Sequence, residues 1–260
     1  MLEREWSEID DLCTEFGDDQ WGAATDLPGW TVKDIVSHIN GIESLLLGRA
    51  PVDHALEMPA HVRNPLGERN EVEVDFRRPW PHQRVLEEFR EVTRARVGQL
   101  RSMSDGDFAA DSWTPLGPGT YAEFMATRLL DCWVHEQDVR RGAGRPGHLD
   151  DDVAVHCFER LARGMPKVVG KNAGAPDGSV VVFDVSGVRE IPIGVSDGRA
   201  AVLDAVPRDA DVRLAMDFET FVCLSCGRWP PERTLRTGRA EVQGDRELGT
   251  RVVSAMNVMF

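Results

Sequence analysis

What this chain lacks narrows its possible roles. No stretch approaches the roughly 18 consecutive apolar residues of a membrane-spanning helix. Positive charge is in deficit, with 30 Lys and Arg against 44 Asp and Glu and a formal net charge of −14. Nucleic acids and anionic membrane surfaces are both bound by clustered Lys and Arg, so neither is an expected partner. Cysteine is sparse: five residues, an odd number, are dispersed along the chain, which does not describe a disulfide framework. The opening residues Met1-Leu2-Glu3-Arg4-Glu5 lack the basic and apolar segments of a secretion signal. The expectation is a soluble, cytoplasmic protein. The glycine-rich stretch from Gly142 to Gly147 follows no strand, so a dinucleotide fingerprint is missing, and no Gly-x-Ser-x-Gly elbow occurs.

What is present supports a folded protein. Hydrophobic residues make up 42% of the 260, enough for one large domain or two modest ones. The first half reads as helices. Leu2, Trp6, Ile9, Leu12, Cys13 and Phe16 recur at helical spacing. After the turn Leu27-Pro28-Gly29-Trp30, Thr31 is placed to cap a second helix, with Asp34 three residues on. Its apolar stripe runs through Val32, Ile35, Val36, Ile39, Ile42 and Leu46 and stops at Gly48 and Pro51. Residues 51–80 are rich in Pro, Arg and acidic side chains and read as a long connection, either functional or a crossover between distant helix ends. Pro81 opens a third helix. Gly117-Pro118-Gly119 breaks the chain, and Thr120 with Glu123 forms a capping box for a fourth helix reaching about Arg141. Four helices with a long crossover are the ingredients of a bundle.

The second half changes period. Asp151 to Leu161 is helical, and Ser179–Val185, Arg189–Val195, Ala200–Leu203 and Asp211–Met216 read as strands. Asp217–Gly227 and Asp245–Phe260 read as helices. The reading is α+β: a helical bundle over residues 1–150, then a smaller α/β domain over 151–260.

On a wheel of the fourth helix, Arg128, Asp131, His135 and Asp138 share a side with Phe124, Met125, Cys132 and Val139. An Asp-x-x-x-His pair facing inward suits two ligands of one metal. His38, at the edge of the second helix's apolar stripe, is a candidate third ligand, since bundles build metal sites from facing helices. Two histidines and a carboxylate suit a divalent metal with an open position, zinc first by ligand type. The plainer alternatives stay open: a hydrogen-bonded core histidine, and an Asp131–His135 pair that needs no metal. Asp34 is a candidate partner or rival ligand, Arg128 a candidate partner for a ligand carboxylate, and Glu136 reads as solvated. Cys223-x-x-Cys226, flanked by apolar residues, reads as two buried thiols. His54, His61 and His82 lie in or beside the long connection, whose Asn64–Asn70 stretch is either a lid or a solvated crossover.

These residues carry a resemblance. Leu27 to His38, with its Pro-Gly-Trp-Thr turn, Val32, Asp34 and His38, is similar to a segment of DinB-like proteins, and specifically of the mycothiol-dependent maleylpyruvate isomerase family. The stretch Arg128 to Val139 resembles the family segment with a carboxylate and a histidine one turn apart. Cys223-Leu224-Ser225-Cys226-Gly227-Arg228 is similar to an element of its second, sterol-carrier-like domain. The resemblance implies a DinB-like four-helix bundle with metal ligands His38, Asp131 and His135. It also implies a thiol cofactor, mycothiol or a related low-molecular-weight thiol, whose sulfur meets the metal. The thiolate adds to an activated cis double bond; rotation and elimination give the trans isomer, whereas in an S-transferase the adduct is the product. Arg228 is the candidate catalytic residue, gripping the carboxylate of a small anionic or electrophilic substrate; the plain alternative is a cation at a helix end. The family isomerase carries Glu where this chain has Asp131, one methylene shorter. A metal-dependent hydrolase and a non-catalytic ligand- or partner-binding protein on the same scaffold are the rival readings.

Overall fold

The computed structural model describes residues 1–115 and 117–259, and the chain divides into two compact units, Met1–Gly147 and His148–Phe260. The first unit holds α1 (Leu2–Thr14), α2 (Asp18–Trp21), α3 (Val32–Leu46), α4 (Pro65–Arg77), α5 (His82–Ser102), α6 (Asp105–Ala109), the strands β1 (Asp111–Thr114) and β2 (Gly117–Thr120), and α7 (Tyr121–Gly142). The long helices α1, α3, α5 and α7 pack as the four-helix bundle, with α4 laid against α3. The core between them is built from Trp6, Ile9, Ile35, Ile39, Phe89 and Cys132, among others.

The helix starts follow from the sequence. Thr31 accepts a hydrogen bond from the Asp34 backbone N–H while the Asp34 carboxylate accepts from the Thr31 N–H, completing a capping box. Thr120 and Glu123 do the same for α7. Ahead of α3, Gly29 takes a φ of +77°, and the Trp30 N–H donates to the Leu27 carbonyl at 3.1 Å. Pro28 followed by a left-handed glycine gives this turn its geometry.

The segment 51–80 departs from the expected connection. Its second part is the 13-residue helix α4, opened by the Asn64 side chain accepting from the Gly67 N–H and by Pro65 in the first turn. Asn64–Asn70, read as a lid or a crossover, is therefore the start of a helix. Gly41 lets α4 approach α3, since a Cβ there would stand 2.7 Å from Glu73 Cβ. Residues 111–120 also differ: in place of a plain break they form the antiparallel pair β1–β2, with Asp111 opposite Thr120.

The second unit holds α8 (Asp152–Ala162), α9 (Met165–Lys167), a π-helical turn (Val168–Asn172), β3 (Val180–Ser186), β4 (Arg189–Ser196), β5 (Arg199–Val202), β6 (Val212–Asp217), α10 (Phe218–Ser225), α11 (Pro231–Arg236), β7 (Ala240–Gly244) and α12 (Arg246–Ser254). Its sheet has the order β5-β4-β3-β6-β7, with β3 and β6 parallel and the other pairs antiparallel. The inner strands are apolar where they meet helices: Phe183 of β3 packs against Phe221 of α10, which packs in turn against Phe158 of α8. Four elements were not anticipated: α9, the π-helical turn, α11, and the strand β7 that extends the sheet past β6. The last helix ends at Ser254 rather than running to the end of the chain. No helix among the described residues is long and apolar enough to cross a membrane.

Candidate functional site

α3 and α7 face each other inside the bundle and bring His38, Asp131 and His135 together, each offering one ligand atom within 4.8 Å of the others. His38 Nε2 stands 3.6 Å from Asp131 Oδ2, and His135 Nε2 stands 3.7 Å from Asp131 Oδ1. Both separations exceed hydrogen-bond length. The separation from Oδ1 is close to the roughly 3.3 Å edge of a tetrahedron of ligands about 2.0–2.1 Å from a shared ion. The two imidazole centroids are 4.7 Å apart.

Each ring is held differently. His135 Nδ1 lies 3.1 Å from Asp138 Oδ2, and Asp138 is itself fully buried and accepts from Arg141 Nη2 at 2.5 Å. A proton on Nδ1 donated to that carboxylate leaves the Nε2 lone pair aimed at Asp131, the way a metal-binding histidine is commonly oriented. His38 is only 2% exposed, and neither of its ring nitrogens has a hydrogen-bond partner among the described residues. Burial drives its pKa down to about 4, which the proximity of Asp131 opposes, so it is neutral at pH 7 and has a lone pair to give. A buried polar side chain without a partner is expensive, and an ion between these residues is one partner that fits the donor set. Burial alone would raise the pKa of Asp131, but the neighbouring Arg128 guanidinium outweighs it and holds the carboxyl well below its usual range.

Around the three lies a shell of which the sequence pattern supplied only Arg128. The Trp30 ring packs 5.2 Å from His38 and 6.3 Å from His135, centroid to centroid. Its Nε1 donates to Glu71 Oε2 at 2.8 Å, and Glu71 also accepts from Arg78 Nη2 at 2.8 Å. Glu71 comes from α4, the helix hidden in the presumed connection. Arg128 Nη1 donates to Asp131 Oδ2 at 2.5 Å, the pairing its one-turn spacing suggested. Glu43, fully buried on α3, accepts from both Arg128 and Arg96.

Other candidates fall elsewhere. Asp34 is committed to the α3 cap and lies 3.5 Å from Arg78 Nε. Glu136, read as solvated, is fully buried and accepts from Arg140 Nε at 2.5 Å; the helix packs on more than one side, so its back face is interior too. His54 pairs with Asp75 at 2.7 Å, His61 lies 3.6 Å from Glu71, and His82 stacks on Trp21. Cys223 and Cys226 are buried and unbridged. Arg228 follows α10 in the second unit, and its Nη1 donates to the Cys226 carbonyl at 2.8 Å.

A helical bundle of DinB type, followed by a sheet domain, with a His–Asp–His cluster between two bundle helices, defines the class. Residues 2–140 match the model of the mycothiol maleylpyruvate isomerase N-terminal domain and residues 152–251 that of its C-terminal domain, so the chain belongs to the mycothiol-dependent maleylpyruvate isomerase family. Two crystal structures of the mycothiol-dependent maleylpyruvate isomerase, one of them a mutant, share the fold. Each aligns with a TM-score of 0.58, at 18% and 16% identity, over 88% and 93% of this chain and 87% and 90% of theirs. Uncharacterized proteins of two Mycobacterium tuberculosis strains are 29% identical over 147 residues, 55% of this chain and 55% of theirs. The chain thus spans about half the length of the curated relatives it matches.

Proposed function

We propose that this protein is a metal- and thiol-dependent enzyme acting on a small electrophilic substrate, with mycothiol or a related low-molecular-weight thiol as its cofactor. His38, Asp131 and His135 hold one divalent ion, zinc by ligand type. The reaction is cis–trans isomerisation or transfer of the thiol sulfur to the substrate. The observation that carries this reading is His38, buried with two unpartnered nitrogens and 3.6 Å from a carboxylate.

A bound divalent cation supplies the positive charge that keeps a thiol ionised, and so nucleophilic, at neutral pH. The chain's own residues do the rest. Asp138 fixes the tautomer and direction of His135. Arg128 anchors Asp131. Trp30, tethered through Glu71, shields one side of both imidazoles from water. Arg228 is assigned to an anionic group of the substrate, a role that suits a guanidinium's paired donors.

The test is elemental analysis of the purified protein, paired with calorimetric titration of mycothiol into the zinc-loaded form. About one metal per chain, as expected for three protein ligands with an open position, and heat on thiol addition support the reading and justify a screen of cis-unsaturated acids. Metal without thiol binding, together with ester or amide turnover in the absence of thiol, would replace it with hydrolysis. Neither metal nor thiol binding would leave a non-catalytic binding protein.

A further inference from the structure

Glu43 and Arg128 belong to no ligand set, yet they are buried charges built directly onto one. Glu43 is 0% exposed and Arg128 5%. Glu43 Oε2 accepts from Arg96 Nε at 2.9 Å. Glu43 Oε1 accepts from Arg128 Nε at 3.1 Å and Nη2 at 2.8 Å. The remaining edge of the Arg128 guanidinium, Nη1, donates to Asp131 Oδ2 at 2.5 Å. Charges alternate in sign from Arg96 on α5, through Glu43 on α3, to Arg128 and Asp131 on α7.

The geometry of the fork matters. A guanidinium is planar and its donors point in fixed directions. With two donors on Glu43 and a third on Asp131, Arg128 cannot rotate without breaking charge-assisted hydrogen bonds at both ends. Glu43 is in turn fixed from its far side by Arg96. Asp131 Oδ2 is therefore occupied by a donor whose position is set two helices away. Asp131 Oδ1 receives nothing from Arg128 and faces His135 Nε2 at 3.7 Å. The two oxygens of this carboxylate are chemically unequal before any ion arrives.

We propose that Glu43 and Arg128 are positioning residues that hold Asp131 to ligation through Oδ1 alone. The proposal rests on the ion site argued above. Its consequence is a protein ligand set of two nitrogens and one oxygen, which leaves more than one place on the ion for a cofactor sulfur and a substrate. A carboxylate free to use both oxygens would fill one of those places.

The experiment uses the full chain loaded with Co2+, whose visible absorption weakens stepwise as the number of ligands rises from four to five to six. Wild-type protein should give the intense band. In Arg128→Gln, Oδ2 is released and the second oxygen binds, so the band should lose intensity and move to shorter wavelength. Arg128→Lys keeps the charge but not the fork and should fall between. Glu43→Gln touches no ligand and should move the band in the same direction as Arg128→Gln. Circular dichroism checks each fold, and Arg128→Lys carries the test if Arg128→Gln does not fold. An Arg128→Gln or Arg128→Lys spectrum identical to wild type overturns the positioning role alone. Wild-type protein that takes up no Co2+ overturns the ion site and this proposal with it.

Discussion

Replacing His38 by alanine removes a side chain that satisfies nothing in the surrounding protein, and replacing His135 leaves Asp138 still bonded to Arg141. Both variants are expected to keep helical circular dichroism while metal content, read by elemental analysis, falls to near zero. Stoichiometric metal in either variant would reject the ligand assignment. Glu43→Ala has the opposite character. It strands two buried guanidinium groups and should cost about 3–5 kcal/mol of stability by denaturant unfolding. Arg228→Ala is expected to raise KM for an anionic substrate and leave metal content unchanged; an unaltered KM would return Arg228 to its role at the end of α10. The three proposed ligands were legible because Asp131 and His135 sit one turn apart on an inward face and His38 interrupts an apolar stripe. Glu43 was not legible, because an acidic residue beside Ile42 reads as solvated. In the structure Glu43 is fully buried while Ile42 keeps partial exposure, and only the two arginines from other helices explain it.

Among elements, α4 shows where patterning stops working. Its buried residues include Glu71, Glu73 and Arg77, and its inward face is held by ion pairs such as Arg77 with Glu73 and Glu88 rather than by an apolar stripe. Periodicity of hydrophobic residues is blind to such a helix. The bundle helices and β3 to β6 were legible for the opposite reason: capping boxes and runs such as Val180 to Val185 state their period openly. The pair β1–β2 includes Gly117-Pro118-Gly119, which reads as a break, and β7 carries only Ala240 and Val242 as apolar residues, so neither shows an apolar run. The close approach of α3 and α4 yields its own prediction. Gly41→Ala places a Cβ into Glu73 and should destabilise the protein by about 1–3 kcal/mol, measured by urea unfolding. Unchanged stability would mean that α4 shifts freely on α3.

Across the whole molecule, all five cysteines are buried and none is bridged. Burial raises the pKa of the Cys13 and Cys132 thiols far above the ordinary range, so neither ionises near neutral pH. A thiol-reactive dye such as dithionitrobenzoate should therefore label the native protein slowly and all five sites after denaturation. Rapid native labelling would place a cysteine at the surface. If the proposed thiol-dependent activity holds, a protein that withholds every cysteine thiol of its own does not compete with its cofactor for electrophiles. On that reading its buried cysteines offer no partner for a mixed disulfide, and thiol oxidation would fall on the exchangeable small molecule rather than on the polypeptide.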